Sequence, residues 1–201
     1  MIFLAFSNTG EFKRTDLTLG RFFPISVRRR YHSQSSYDSQ LGYGWAHNYD
    51  KQLFTYSDGS VVIRKETGWR RKFIPSASGF TTPVGETGTL VANPDGTFTY
   101  TEKNGTAEQY DVNGRLVSIV APNGSSLVLT YESGIKSPLW GLLPWNVNQS
   151  TPLVVAYDYR LSSVLEKDAT GAYTGTWVSF AYDPSTGRLV GIADSLGRSV
   201  A

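Results

Sequence analysis

Gly and Pro fall about every seven residues along this chain, with 20 Gly and 9 Pro in 201 residues. That spacing leaves little room for α-helices, whose mean length is roughly 11–12 residues. The glycines are also placed in a pattern. Asp58-Gly59, Asp95-Gly96, Asn104-Gly105, Asn113-Gly114 and Asn123-Gly124 are Asx-Gly pairs, a strong short-range signal for a β-hairpin. Such pairs predict type I′ turns, which need positive φ at both central residues.

The segments between these turns read as strands. Residues 23–31 alternate, with Phe23, Ile25, Val27 and Tyr31 on one side and Ser26, Arg28 and Arg30 on the other, the period of a half-buried strand. Runs at 53–56 and 61–64 flank Asp58-Gly59, and 97–100, 108–110, 116–120 and 127–131 lie between the later turns. The fold class predicted is all-β: stacked antiparallel β-hairpins in a meander. The apolar start, 1–6, reads as a first strand, since it lacks the basic residues, length and small-residue cleavage site of a signal peptide.

Composition narrows the function classes. The absence of Cys excludes disulfides, thiolate metal sites and a thiol nucleophile. A net charge of +2 is too small to argue for a nucleic-acid partner. No run approaches the roughly 20 apolar residues of a membrane span. Neither Gly-x-Ser-x-Gly nor a phosphate-binding Gly-x-x-x-x-Gly-Lys occurs. His32 and His47 could join Asp50 as metal ligands, but capping a turn or stacking in an aromatic-rich segment is the simpler role. Glu102 and Glu108 flank one hairpin and could form a carboxylate pair, although strand glutamates usually face water. Arg28-Arg29-Arg30 and Arg70-Arg71-Lys72 alternate faces on strands and so read as solvated rather than as one patch.

The second half repeats. Tyr110-Asp111 precedes Gly114-Arg115-Leu116 and then Gly124; Tyr182-Asp183 precedes Gly187-Arg188-Leu189 and then Gly197. A degraded copy reads Tyr157-Asp158, Arg160-Leu161 and Gly171. These units resemble the YD repeats of the Rhs and teneurin-like family. Ahead of them, Thr15-Asp16-Leu17-Thr18-Leu19, Pro24-Ile25-Ser26-Val27, Arg30-Tyr31-His32-Ser33 and the string Leu41-Gly42-Tyr43-Gly44-Trp45-Ala46-His47-Asn48-Tyr49-Asp50 fall in order. They resemble the opening segment of bacterial Rhs proteins. The chain thus divides into an opening segment at 1–105 and YD repeats at 106–201, interrupted by a Pro- and Trp-rich insertion at 132–152.

The resemblance implies part of a curved β-shell that encloses a C-terminal effector, in an exported or cell-surface protein of bacterial competition. It implies no catalytic residue or cofactor here; the partners would be the remainder of the repeat shell and the effector. The residues support structural roles. Tyr at the strand end offers a ring for cross-strand packing, Asp can accept turn N–H bonds, and Arg could pair with an Asp of the next hairpin as a ladder. An apolar loop bearing Trp140 and Trp145 could plug a core or be displayed. The alternative function is therefore a carbohydrate-binding or adhesion module that uses these rings and exposed Tyr.

Overall fold

The computed structural model describes residues 10–35, 37–133 and 159–201. The expected strand at 1–6 and most of the Pro- and Trp-rich insertion, including Trp140 and Trp145, lie outside them. Among the described residues the fold is all-β, with antiparallel pairing throughout and no closed barrel.

The chain begins with β1 (Glu11–Leu19) and β2 (Ile25–His32), then a short ladder of β3 (Asp38–Ser39) with β4 (Gly42–Tyr43). β5 (Trp45–His47) returns to β2 and completes a three-stranded sheet in the order β1-β2-β5. A four-stranded meander follows, β6 (Gln52–Thr55), β7 (Val61–Arg64), β8 (Arg70–Ser76) and β9 (Gly79–Thr81). The rest is one nine-stranded meander: β10 (Thr89–Ala92), β11 (Phe98–Thr101), β12 (Ala107–Tyr110), β13 (Leu116–Val120), β14 (Ser126–Ser133), β15 (Tyr159–Lys167), β16 (Tyr173–Tyr182), β17 (Leu189–Asp194) and β18 (Ser199–Val200). Its hydrogen-bonded ladder starts at Thr89 and runs without a break across the 105/106 division drawn from the motifs.

The turns differ from the type I′ form. In all five Asx-Gly turns the Gly N–H donates to the carbonyl three residues back, and that earlier residue's N–H donates to the carbonyl just past the Gly. This is a three-residue loop, a type I turn closed by a left-handed Gly. Pro94 and Pro122 explain the choice, because each occupies the first loop position and proline cannot take positive φ. The side chains of Asp58, Asp95, Asn104 and Asn123 then accept the N–H two residues on.

One core joins the sheets. Leu17, Leu19, Ile25 and Val27 of β1–β2, with Tyr49, Leu53, Val61, Ile63 and Phe73, pack against one face of the nine-stranded sheet. That face presents Leu90, Tyr100, Tyr110, Leu116, Leu127, Leu129, Leu161, Val164, Val178, Phe180 and Ile192. β7 is buried on both faces, because Val62 forms a second small cluster with Phe54 and Tyr56.

Candidate functional site

The site that the sequence singles out is a set of contacts between the opening segment and the repeat sheet, together with contacts that link one repeat to the next. The repeat geometry is regular. Tyr110 sits opposite Leu116 and Tyr182 opposite Leu189, each at a register shift beside the Tyr. The same arrangement recurs with Tyr131 opposite Leu161, again at a shift, and Glu132 opposite Arg160. The partner of Arg160-Leu161 in this ladder is therefore Tyr131-Glu132; Tyr157 and Asp158 lie outside the described residues. Twenty-five residues of sequence separate Ser133 from Tyr159, which hides the unit from a linear search.

Two contacts step from one unit to the next. The Tyr131 hydroxyl donates to the Leu116 carbonyl at 2.7 Å, and the Tyr182 hydroxyl to the Leu161 carbonyl at 2.8 Å. The Arg115 guanidinium lies 5.6 Å from the Tyr131 ring centre and 4.3 Å from that of Tyr159. Arg160 lies 4.6 Å over Tyr182 and donates to Glu132 at 2.7 Å. Arg115-Leu116 and Arg160-Leu161 thus each receive the next unit's tyrosine, Arg on the ring and Leu carbonyl on the hydroxyl. Burial pushes both phenols well above their ordinary pKa, so they remain donors.

The arginines do not form a ladder from hairpin to hairpin. Arg115 folds back on its own turn, where Asp111 pairs with it at 2.5 Å and accepts the N–H groups of Asn113 and Arg115. Asp183 caps its turn through Ser185 and Thr186, and Gly187 takes the positive φ of its last loop position. Arg188 instead reaches Asp38 of β3 at 2.6 Å and the Ser39 carbonyl, while Leu189 N–H donates to Gln40.

Tyr110 is the first tyrosine of the described series, and no earlier Arg-Leu receives it. Its hydroxyl donates to Glu108 at 2.7 Å, and Glu108 is ion-paired with Lys51 ahead of β6. Glu108 is 1% exposed, which corrects the expectation that it faces water. Its partners raise the Lys51 pKa against the opposing effect of burial. Beside it Leu53 N–H donates to the Gly114 carbonyl at 2.9 Å. A Cβ on Gly114 would stand 2.0 Å from the Leu53 oxygen, so the close approach requires glycine.

A second buried carboxylate fastens the β1–β2 turn. Glu166 Oε1 accepts the backbone N–H groups of Arg21, Phe22 and Phe23 at 2.9, 2.7 and 2.8 Å, and Oε2 accepts the Thr174 hydroxyl at 2.8 Å. Burial opposes its ionisation, but these donors hold its pKa below the usual carboxylate value. Glu108 and Glu166 were missed as bridging groups, although strand alternation carried a signal. Glu108 shares the parity of buried Tyr110, and Glu166 that of buried Val164.

The opening string Leu41–Asp50 builds the rest of the contact. Leu41 N–H bonds Ser39, Gly42 takes positive φ in the β3–β4 turn, and Tyr43 stays exposed. Gly44, at φ +75°, packs under Tyr31 too closely for any Cβ. Trp45 packs edge-to-face with Phe12 and at a tilt against Tyr31. His47 is buried against Phe180 and Tyr49, accepts Tyr49 N–H through Nδ1, and burial lowers its pKa. Asn48 accepts Arg28 N–H, and burial raises the Tyr49 phenol to about 12. Asp50 accepts from Tyr37 at 2.8 Å and Arg64 at 2.9 Å, with the guanidinium 4.1 Å over the Tyr37 ring. Such buried charge networks fix register and orientation. Among the described residues no three His, Asp or Glu converge as metal ligands would, and no helix is long and apolar enough to cross a membrane.

Residues 8–73 match the family model described as "Domain of unknown function (DUF6531)". No curated protein matches the chain. Among solved structures, the N-terminal domain of effector protein SpvB from Salmonella typhimurium strain LT2 aligns at 15% identity and a TM-score of 0.46, over 84% of this chain and 73% of that one. A TcdB2-TccC3-Cdc42 crystal structure aligns at 13% identity and 0.43, over 87% of this chain and 11% of that much longer one. Likeness at these scores carries no argument about function. The match over 8–73 covers about a third of the chain and is to a domain found at the N-terminus of Rhs and YD-repeat proteins.

Proposed function

We propose that this chain is the opening part of a non-catalytic Rhs-type shell, divided near residue 105 into an opening segment and YD repeats, that helps to enclose a C-terminal effector in an exported protein. The observation that carries this reading is the stepwise Tyr-to-Leu and Arg-to-Tyr contact between units. Such a contact propagates one sheet by repetition and asks for no ligand. The opening segment fills the core face of the sheet and replaces the missing earlier unit through Lys51 and Glu108. In this stretch it closes the shell, and space for cargo would lie beyond it. The matched DUF6531 segment supports the same placement.

The reading is tested on the gene. The coding sequence beyond Ala201 is expected to carry further Tyr-Asp and Gly-Arg-Leu units and then an unrelated domain. A stop codon shortly after Ala201 would instead favour the carbohydrate-binding or adhesion module.

A further inference from the structure

The three-stranded sheet and the β3–β4 ladder dock on the β15–β18 end of the nine-stranded sheet. Glu166 of β15 accepts the amides of Arg21, Phe22 and Phe23, and Arg188 reaches Asp38 and the Ser39 carbonyl. The Leu189 N–H donates to the Gln40 carbonyl at 2.9 Å, and Arg198 to the Thr18 carbonyl at 3.2 Å. His47 stands in the same seam. It ends β5, is 6% exposed, and its ring lies 5.7 Å from that of Phe180 on β16. An imidazole is the side chain whose charge ordinarily changes between about pH 5 and 8, and the chain has one other, His32 of β2. The β6–β9 meander docks elsewhere, through Lys51 and Leu53 on Glu108 and Gly114.

The ring is held in its neutral form by geometry. A backbone N–H can only donate, so the bond from Tyr49 N–H to Nδ1 at 3.2 Å keeps that nitrogen bare and puts the ring proton on Nε2. A proton taken from water would land on Nδ1 and set two donors against each other. It would also place a positive charge against the apolar Phe180 ring. The charges around the ring do not cancel this. Asp50 favours the charged form and Arg64 opposes it, and the two pair with each other at 2.9 Å. Arg29, opposite His47 on β2, is held by Asp16 at 2.7 Å, and β16 presents only the uncharged Phe180 ring. Burial outweighs Asp50 and holds the His47 pKa below its ordinary 6.5.

We propose that His47 is an acid-sensitive latch: neutral, it holds the three-stranded sheet on β15–β18, and its protonation releases that sheet while β10–β14 stay paired. The stabilisation is fully present above the unfolded value of about 6.5 and is lost as pH falls from there through the folded one. The test is NMR amide exchange of the full chain at about pH 7.5 and about pH 5, corrected for the intrinsic rate. The amides of residues 21–23 and Leu189 report the seam, because their bonds cross it. Glu166, held below its ordinary 4.5, stays ionised over this range. Protection of these amides is expected to fall severalfold at the lower pH, in step with titration of the His47 ring signals. Amides of β11 and β12, bonded inside the ladder, should keep theirs. His47→Asn keeps an acceptor near Nδ1 but cannot titrate, so it should remove the fall; His47→Gln is the second variant, and His32→Asn should retain the fall. Unchanged protection in the wild type overturns the proposal. So does a fall that both His47 variants retain, one that reaches β11 and β12 equally, or one complete while the His47 ring is still neutral.

Discussion

Replacing Glu166 by Gln should loosen the opening segment from the repeat sheet without altering the shape of either. The carboxylate is fully buried and receives four hydrogen bonds, three of them from successive backbone N–H groups. A hydrogen bond to a charged group contributes roughly 1.5–3 kcal/mol, against roughly 0.5–1.5 for a neutral one. Gln keeps the acceptor on Oε1, and the Thr174 hydroxyl can turn to accept from its amide. The loss is therefore the charge increment on about three bonds, about 2–4 kcal/mol. Glu166→Ala removes the acceptor and leaves buried donors unmatched, at roughly 1–3 kcal/mol each, so it should cost more than Gln. Urea unfolding measures the difference, and amide exchange at residues 21–23 locates it. The pKa of Glu166 is lower in the folded chain than its ordinary value of 4.5. Its stabilisation is then fully present above the unfolded pKa and is lost as pH falls through the folded one. The gap between wild type and Glu166→Gln should be flat near neutrality and shrink below about pH 4.5. A Gln variant within 0.5 kcal/mol of wild type at pH 7, or unchanged exchange at 21–23, would refute the reasoning.

Three further outcomes follow from the same contacts. Tyr131→Phe and Tyr182→Phe each leave a Leu carbonyl without its donor and should cost about 1–2 kcal/mol in denaturant unfolding, with similar values because the two contacts are equivalent. Gly114→Ala meets the Leu53 backbone at 2.0 Å, whereas Gly171→Ala has the same left-handed strain and open space; the second should cost about 1–2 kcal/mol and the first several more, read as the difference in melting temperature. Lys51→Met strands the Glu108 charge in the core and should cost about 3–5 kcal/mol at pH 7, much of it recovered in the double variant with Glu108→Gln.

Local chemistry made most of the strands legible. Asx-Gly pairs mark the β6–β7 hairpin and each hairpin from β10 to β14, because a turn and its flanking strands are set within a dozen residues, whereas the β7–β8 and β8–β9 turns carry no such pair. The turn form was misread because the Asx-Gly pair was weighed without the proline two positions before the Gly at Pro94 and Pro122. The middle repeat was assigned to Tyr157-Asp158 because proximity in sequence stood in for pairing; Glu132 and Arg160 meet across 28 positions. The docking contacts were hidden by distance. Glu166 lies 143–145 positions from the amides it accepts, and Arg188 lies 150 from Asp38. Nothing in a strand's alternation says what will cover its buried face, and an inward carboxylate shows only that some donor must come.

The shell reading meets its most direct test in protease protection of the intact gene product. If the repeat sheet and its opening segment enclose an effector, the C-terminal domain should resist a broad-specificity protease in the native protein. It should become cleavable when Glu166→Ala loosens the opening segment. A C-terminal domain cut as fast in the intact protein as when expressed alone would contradict enclosure.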